Sequence, residues 1–228
     1  PTSGQTQVVS TDWQALPIEA RAVEINAPAW LGEGRELRFA GGVELQAAGS
    51  LPLRELSDLK ALQDGRLLAV GDEGDLVEFR PVLDPTGRLI GVEGGRIRHL
   101  MRPDGQPVRG KLESDAEGLA ILPDGRFLVS FERRHRVWLY PADGGRPVAA
   151  PTPSPDVILP DNQGFEALST VGDDGYRVAA EFGGMWTCRL SSGCVKAEGG
   201  YRRPEGEATA SFDADPDAPG VELARERG

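Results

Sequence analysis

The chain alternates short apolar runs with Gly- and Asp-rich breaks, and almost nowhere does the apolar spacing follow a helix. Apolar runs of strand length bounded by turn residues read as β-strands. Residues 1–37 mix polar residues with Pro17, Pro28 and a few apolar runs, and read as an extended arm. The β domain is expected over 38–228, opening with "ELRFAGGVELQAAG" as a hairpin that turns at Gly41-Gly42. From there a pattern recurs. "SDLKALQDGRLLAVGD" runs from Ser57 to Asp72, "EGLAILPDGRFLVSFE" from Glu117 to Glu132, and "EALSTVGDDGYRVAAE" from Glu166 to Glu181. Each has a polar or acidic start, an apolar strand, a turn holding Asp-Gly, a second apolar strand and a closing carboxylate. The two ends stand 15 residues apart in every copy (57 to 72, 117 to 132, 166 to 181). A looser fourth copy runs from Glu207 to Glu226, and a third strand with an aromatic residue follows each of the first three: "LVEF", "VWLY" and "MWTC".

Repeats of this length built from short antiparallel strands are the sequence signature of β-propeller blades, with a meandering β-sandwich as the alternative. The expected fold is therefore an all-β propeller of antiparallel blades, incomplete or truncated in this chain. In it, the residues paired across the 15-residue offset would meet at one end of their strands, around a central channel.

Composition narrows the class. A chain of 228 residues can bury a full core, and 30 Gly with 18 Pro demand many turns. The net charge of -11 argues against a nucleic-acid partner or an anionic membrane surface and suits cation binding. No apolar run is long enough to span a membrane. The chain starts at Pro1 without a Met, which reads as removal of an export signal, a start codon or a tag. In "WTCRLSSGCV", Ser191-Ser192-Gly193 reads as a hairpin turn that brings Cys188 and Cys194 together. A disulfide there would indicate an oxidising, periplasmic or secreted location; the alternative is two reduced, partly buried thiols.

Carboxylates dominate the candidate chemistry. Asp115, Glu117, Glu132, Glu166 and Glu181 are the candidate metal ligands, with Asp72 and Asn162 as neighbours. Calcium is the expected cofactor, because hard cations take oxygen donors while zinc would require His or Cys that the chain lacks. The competing role for these acids is to accept backbone N–H bonds or to pair with Arg133 and Arg134. Arg133, Arg134, His135 and Arg136 form the dense basic cluster of the sequence and are the candidate substrate-binding residues. Guanidinium groups grip phosphate or carboxylate through paired hydrogen bonds. His99 and His135 are the sole histidines, so histidine base catalysis has few carriers. No G-x-S-x-G or H-E-x-x-H occurs, and Ser57-x-x-Lys60 matches S-x-x-K without companion motifs.

The segments "GGVEL" (41–45), "LSDLKAL" (56–62), "DAEGLAILPDGRFLVSFERRHRVWLY" (115–140), "GFEALS" (164–169), "GYRRPEGEATA" and "VELARER" together resemble the phytase-like β-propeller family labelled "esterase-like activity of phytase". The resemblance implies an exported β-propeller hydrolase of an anionic ester, such as a phosphomonoester. Calcium held by Glu117, Glu132, Glu166 and Glu181 would activate water. Glu117, Glu132, Arg133 and His135 would form the catalytic set, with Arg133 and His135 orienting a small anionic substrate. The alternatives are a non-catalytic ligand- or protein-binding propeller with a structural cation, and a metal-dependent lactonase. The chain departs from the family at "LRELSDL" and at Glu73, where Arg is usual, and it stops at Gly228 where members continue, as a fragment or short variant would.

Overall fold

The computed structural model describes residues 9–24, 39–153, 159, 163–181, 183–197, 208–214 and 222–227, the last two segments by backbone alone. Two strands open the described chain, β1 (Gln14–Ala15) and β2 (Ile18–Val23). β3 (Gly42–Ala47), β4 (Leu56–Ala61), β5 (Leu67–Gly71), β6 (Asp75–Leu83) and β7 (Leu89–His99) follow. A single helical turn, α1 (Lys111–Ser114), precedes β8 (Ala116–Ile121), β9 (Phe127–Phe131), β10 (Arg136–Tyr140) and β11 (Val148–Ala149). Next come β12 (Phe165–Val171), β13 (Gly175–Ala180), β14 (Met185–Arg189) and β15 (Gly193–Lys196), then β16 (Ala208–Ala214) and β17 (Glu222–Arg227). They form five sheets, ordered β1-β7-β6-β5-β4, β11-β10-β9-β8, β12-β13-β14-β15, β16-β17 and β2-β3.

The hairpins follow directly from their turn residues. In "PDGR" the Leu122 N–H donates to the Arg126 carbonyl at 2.7 Å, and the Gly125 N–H to the Leu122 carbonyl at 2.9 Å. Gly125 takes φ 85°, the left-handed conformation this turn needs, and Gly65 in "QDGR" takes φ 79°. The Asp124 carboxylate accepts from the Arg126 backbone at 3.0 Å and from its guanidinium at 2.6 Å. Asp64 does the same for Arg66 at 3.1 and 2.7 Å. Each closing carboxylate then donates its own backbone N–H across the hairpin: Asp72 to the Glu55 carbonyl, Glu132 to Asp115 and Glu181 to Gly164. That offset is 17 residues rather than the 15 read from sequence, and in two of the three hairpins a β-bulge supplies one of the two extra residues. The register shifts between Ala116 and Leu119 against β9, and between Phe165 and Ala167 against β13. Glu117 and Glu166 sit in those bulges, which re-aim side chains at strand ends.

The chain divides into two compact units, one of residues 1–54, 61–68 and 77–98, the other of 55–60, 69–76 and 99–228. In the first, Leu16, Leu51, Val77, Phe79 and Ile97 form the core. β3 pairs along its whole length with β2, Val23 opposite Gly42, while residues 36–38 of the expected hairpin at Gly41-Gly42 lie outside the described residues. In the second, Leu128, Val137, Phe165, Leu168, Tyr176, Val178 and Trp186 bury together. β12 lies between β8 and β16. Ser130 joins β8 to β12 without a backbone ladder: its Oγ accepts from the Gly118 N–H at 2.9 Å and donates to the Phe165 carbonyl at 2.6 Å. A Cβ on Gly118 would stand 2.7 Å from that Oγ and 3.1 Å from the Glu166 carbonyl, so the approach of the two strands needs glycine here.

The expected closed propeller is not found. Each described sheet is open, and β16 and β17 pair only with one another rather than completing a sheet begun at the N-terminal end. The repeat dictates hairpins and places their first strands side by side, whereas ring closure depends on the number and twist of all the sheets. Without a closed ring there is no central channel. The β-propeller hydrolase of an anionic ester, the binding propeller with a channel cation and the channel-metal lactonase all lose their frame.

Candidate functional site

The second unit carries a dense carboxylate centre. Asp115, Glu117 and Glu132 each bring an oxygen within 4.8 Å of the others, and Glu132, Glu166 and Glu181 do the same. Glu132 belongs to both groups. The hairpins explain the convergence: Asp115 and Glu132 face one another across β8 and β9, Glu181 closes β12 and β13, and the two bulges carry Glu117 and Glu166. Gly164 makes room, since a Cβ there would lie 2.9 Å from the Glu132 side chain and 3.2 Å from its Cα.

Two cations already serve part of this centre. Lys111 Nζ donates to Asp72 at 2.5 Å and lies 2.7 Å from Asp115, four residues further along the chain. Burial opposes the Lys111 charge, but the Asp115 and Asp72 hydrogen bonds prevail and raise its pKa. Arg133 Nε donates to Asp115 at 2.6 Å from a left-handed backbone with φ 55°. Asp115 is thereby neutralised twice over. Glu117 is not. Burial, followed by repulsion from Glu166, Glu132 and Asp115, pushes its pKa up to about 8, with Lys111 only partly offsetting this. Glu132 also titrates above the ordinary carboxylate range, through burial and then repulsion from Asp115, with Arg133 opposing. The Asp72 Oδ1 atom is buried without a hydrogen-bond partner.

The donor set fits a hard cation. It consists of carboxylate oxygens, and it carries more negative charge than Lys111 and Arg133 offset. The centre offers potential metal-ligand groups, but nothing in its geometry singles out calcium. Asn162 lies outside the described residues.

The basic cluster does not act as one site. Arg133 turns into the carboxylate centre, while Arg134 turns to Glu113, with Nη1 3.5 Å from its carboxylate. Arg136 packs against the rings of Phe131 and Trp138, at 4.0 and 4.3 Å, beside the edge contact the two rings make with each other. His135 lies edge-on to Phe165 with centroids 6.3 Å apart, and both its ring nitrogens are buried without a hydrogen-bond partner. The sequence reading missed Lys111, although its four-residue spacing to Asp115 was a visible signal. It also missed the bulges, which leave no mark in composition.

Elsewhere in this unit His99 donates from Nδ1 to Asp75 at 2.7 Å and from Nε2 to the Val108 carbonyl at 2.8 Å. Both partners are acceptors, an arrangement that favours the doubly protonated ring. Burial opposes this charge, but Asp75 and the Val108 carbonyl outweigh it and raise the His99 pKa.

Cys188 and Cys194 stand directly opposite one another on β14 and β15 and form a disulfide. This bond is consistent with an oxidising environment. Among the described residues no helix is long and apolar enough to cross a membrane. No curated protein matches the chain. The family model "Phytase-like: Esterase-like activity of phytase" matches residues 51–188, well over half the sequence, and the matched span covers the whole carboxylate centre. This all-β chain, with open sheets in place of the expected propeller, therefore belongs to the phytase-like family of esterase-like domains.

Proposed function

We propose that the carboxylate centre binds a hard divalent cation and is the functional centre of this esterase-like domain. The observation that carries the reading is the state of Glu117. It is a half-buried carboxylate with no hydrogen bond or ion pair among the described residues, and burial, followed by repulsion from three other carboxylates, pushes its pKa up to about 8. A fold tolerates such crowding where an external cation relieves it. Glu117, Glu132, Glu166 and Glu181 would hold the ion, while Asp115, saturated by Lys111 and Arg133, would set their positions. A cation there would polarise an ester oxygen and acidify a bound water. The protein's own contribution is a half-buried group of carboxylates whose positions are fixed by two bulges and by Ser130. The disulfide supports a periplasmic or secreted place of work, and a small anionic molecule is the partner this chemistry favours.

Titration calorimetry of metal-free protein with calcium, magnesium and manganese tests the proposal. One site should appear, weakened at least tenfold in Glu117→Gln and in Glu166→Gln. Binding at neutral pH should release a proton from Glu117, seen as a dependence of the heat on buffer ionisation enthalpy. Absence of binding by all three ions at millimolar concentration, or binding by both variants as tight as that of the unsubstituted protein, would sink the idea.

A further inference from the structure

We infer that Arg136, Arg134 and Arg102 form a second site, apart from the carboxylate centre, that binds a small organic carboxylate. A cavity of about 370 Å³ is lined by these three arginines together with Trp138, Glu113 and Asp104. Such a volume suits a small ligand. Its charge balance is unusual for this protein. Three guanidinium groups face two carboxylates, a surplus of one positive charge in a chain of net charge -11.

The surplus belongs to Arg136. Arg102 is held by Asp104, with Nε 3.2 Å from Oδ1, and by Glu113 at 3.2 Å. Arg134 is paired to Glu113. Arg136 has no carboxylate partner among the described residues. Its guanidinium donates to the Arg134 carbonyl at 2.9 Å and to the Glu113 carbonyl. A guanidinium has five N–H donors, so most of its donor capacity remains unspent. Phe131 and Trp138, whose own centroids are 5.0 Å apart, flank one side of the Arg136 guanidinium rather than sandwich it, and a carboxylate can still approach in its plane and pair with two N–H groups. Burial has already lowered its pKa to about 10, and an incoming anion would reverse that penalty.

The strand geometry builds this site. Arg136 lies opposite Phe131 and Trp138 opposite Val129 in the β9–β10 ladder, so Arg136 and Trp138 share one face. Trp138 is half-exposed and offers a flat surface for the ligand's apolar body. A single positive surplus and one unpaired, planar donor favour a monoanion over a doubly charged group. An aromatic or similarly flat carboxylate satisfies both features.

Fluorine NMR of 4-fluorobenzoate with the intact chain tests this, with 4-fluorobenzyl alcohol as the neutral control and inorganic phosphate as competitor. The benzoate signal should broaden and shift with a millimolar or tighter Kd, weakening as salt rises, while the alcohol signal should not change. Arg136→Gln should weaken binding at least tenfold. Because the packing of Arg136 on Phe131 and Trp138 also supports the sheet, Arg102→Gln provides a second variant at a partly exposed position and should weaken binding several-fold with an unchanged melting temperature. No benzoate binding, equal binding of the alcohol, or benzoate binding that Arg102→Gln leaves intact overturns the assignment. Displacement of benzoate by equimolar phosphate would overturn the choice of a monoanionic carboxylate.

Discussion

At the scale of single residues, Glu117 shows how position overrides type. Its carboxyl has an ordinary pKa near 4.5 in the unfolded chain and about 8 in the fold. Between those values the folded state keeps a proton that the unfolded state has released, so stability falls as pH rises from about 4.5 to about 8 and then levels off. The loss is on the order of a few kcal/mol. Denaturant unfolding of metal-free protein across pH 5 to 8.5 should show this decline, and Glu117→Gln should flatten it. A variant as steep as the wild type would show that other groups cause the decline. His99 titrates with the opposite charge sign. Its raised pKa adds stability that is present at low pH and lost as pH rises through the folded value, so the comparison with Glu117→Gln is needed to separate the two groups.

At the scale of elements, the unit is a hairpin with a defined turn. "DGR" sets the first turn chemistry and "SSG" closes the β14–β15 hairpin, where Gly193 takes φ 96°. The disulfide between Cys188 and Cys194 spans six residues of chain, so it removes little entropy from the unfolded state. Its contribution is about 2 kcal/mol by the loop-closure relation. Replacing both cysteines by serine should lower the unfolding free energy by about that amount, measured by urea titration, without loss of the β-rich circular dichroism spectrum. A change much nearer zero would show that pairing of β14 with β15 alone fixes the hairpin.

At the scale of the whole molecule, the carboxylate centre links hairpins that share no backbone ladder. Glu117 comes from β8 and Glu132 directly follows β9, while Glu166 comes from β12 and Glu181 directly follows β13. A cation bound there should stabilise the fold as a unit, by about 2.7 kcal/mol at a hundredfold excess over Kd. Thermal unfolding with and without chelator reads this directly. Glu117→Gln and Glu166→Gln should each abolish most of the gain, and the double variant should lose little more, since both residues serve one ion. Two independent, additive losses would place the ions in separate sites.

The hairpins were legible because each is local. An apolar run, an Asp-Gly turn and a second apolar run dictate two paired strands wherever they occur, and the cysteine pairing followed from the same kind of spacing. The carboxylates near Glu132 were legible as candidates for the same reason: they sit at hairpin ends. Closure into a ring was not legible, because it depends on how many sheets stack and with what twist, and the described sheets remain open. The fate of "ERRHR" was decided the same way. Adjacency alone did not say which of the four basic residues would share a site; the turn at Arg133 and the alternation of β10 send Arg133 to Asp115 and Arg136 against Phe131 and Trp138. Sequence determined which strands form and where acid and base lie along them. Tertiary structure alone decided, through bulges at Glu117 and Glu166 and the close approach at Gly118, which of those charges meet.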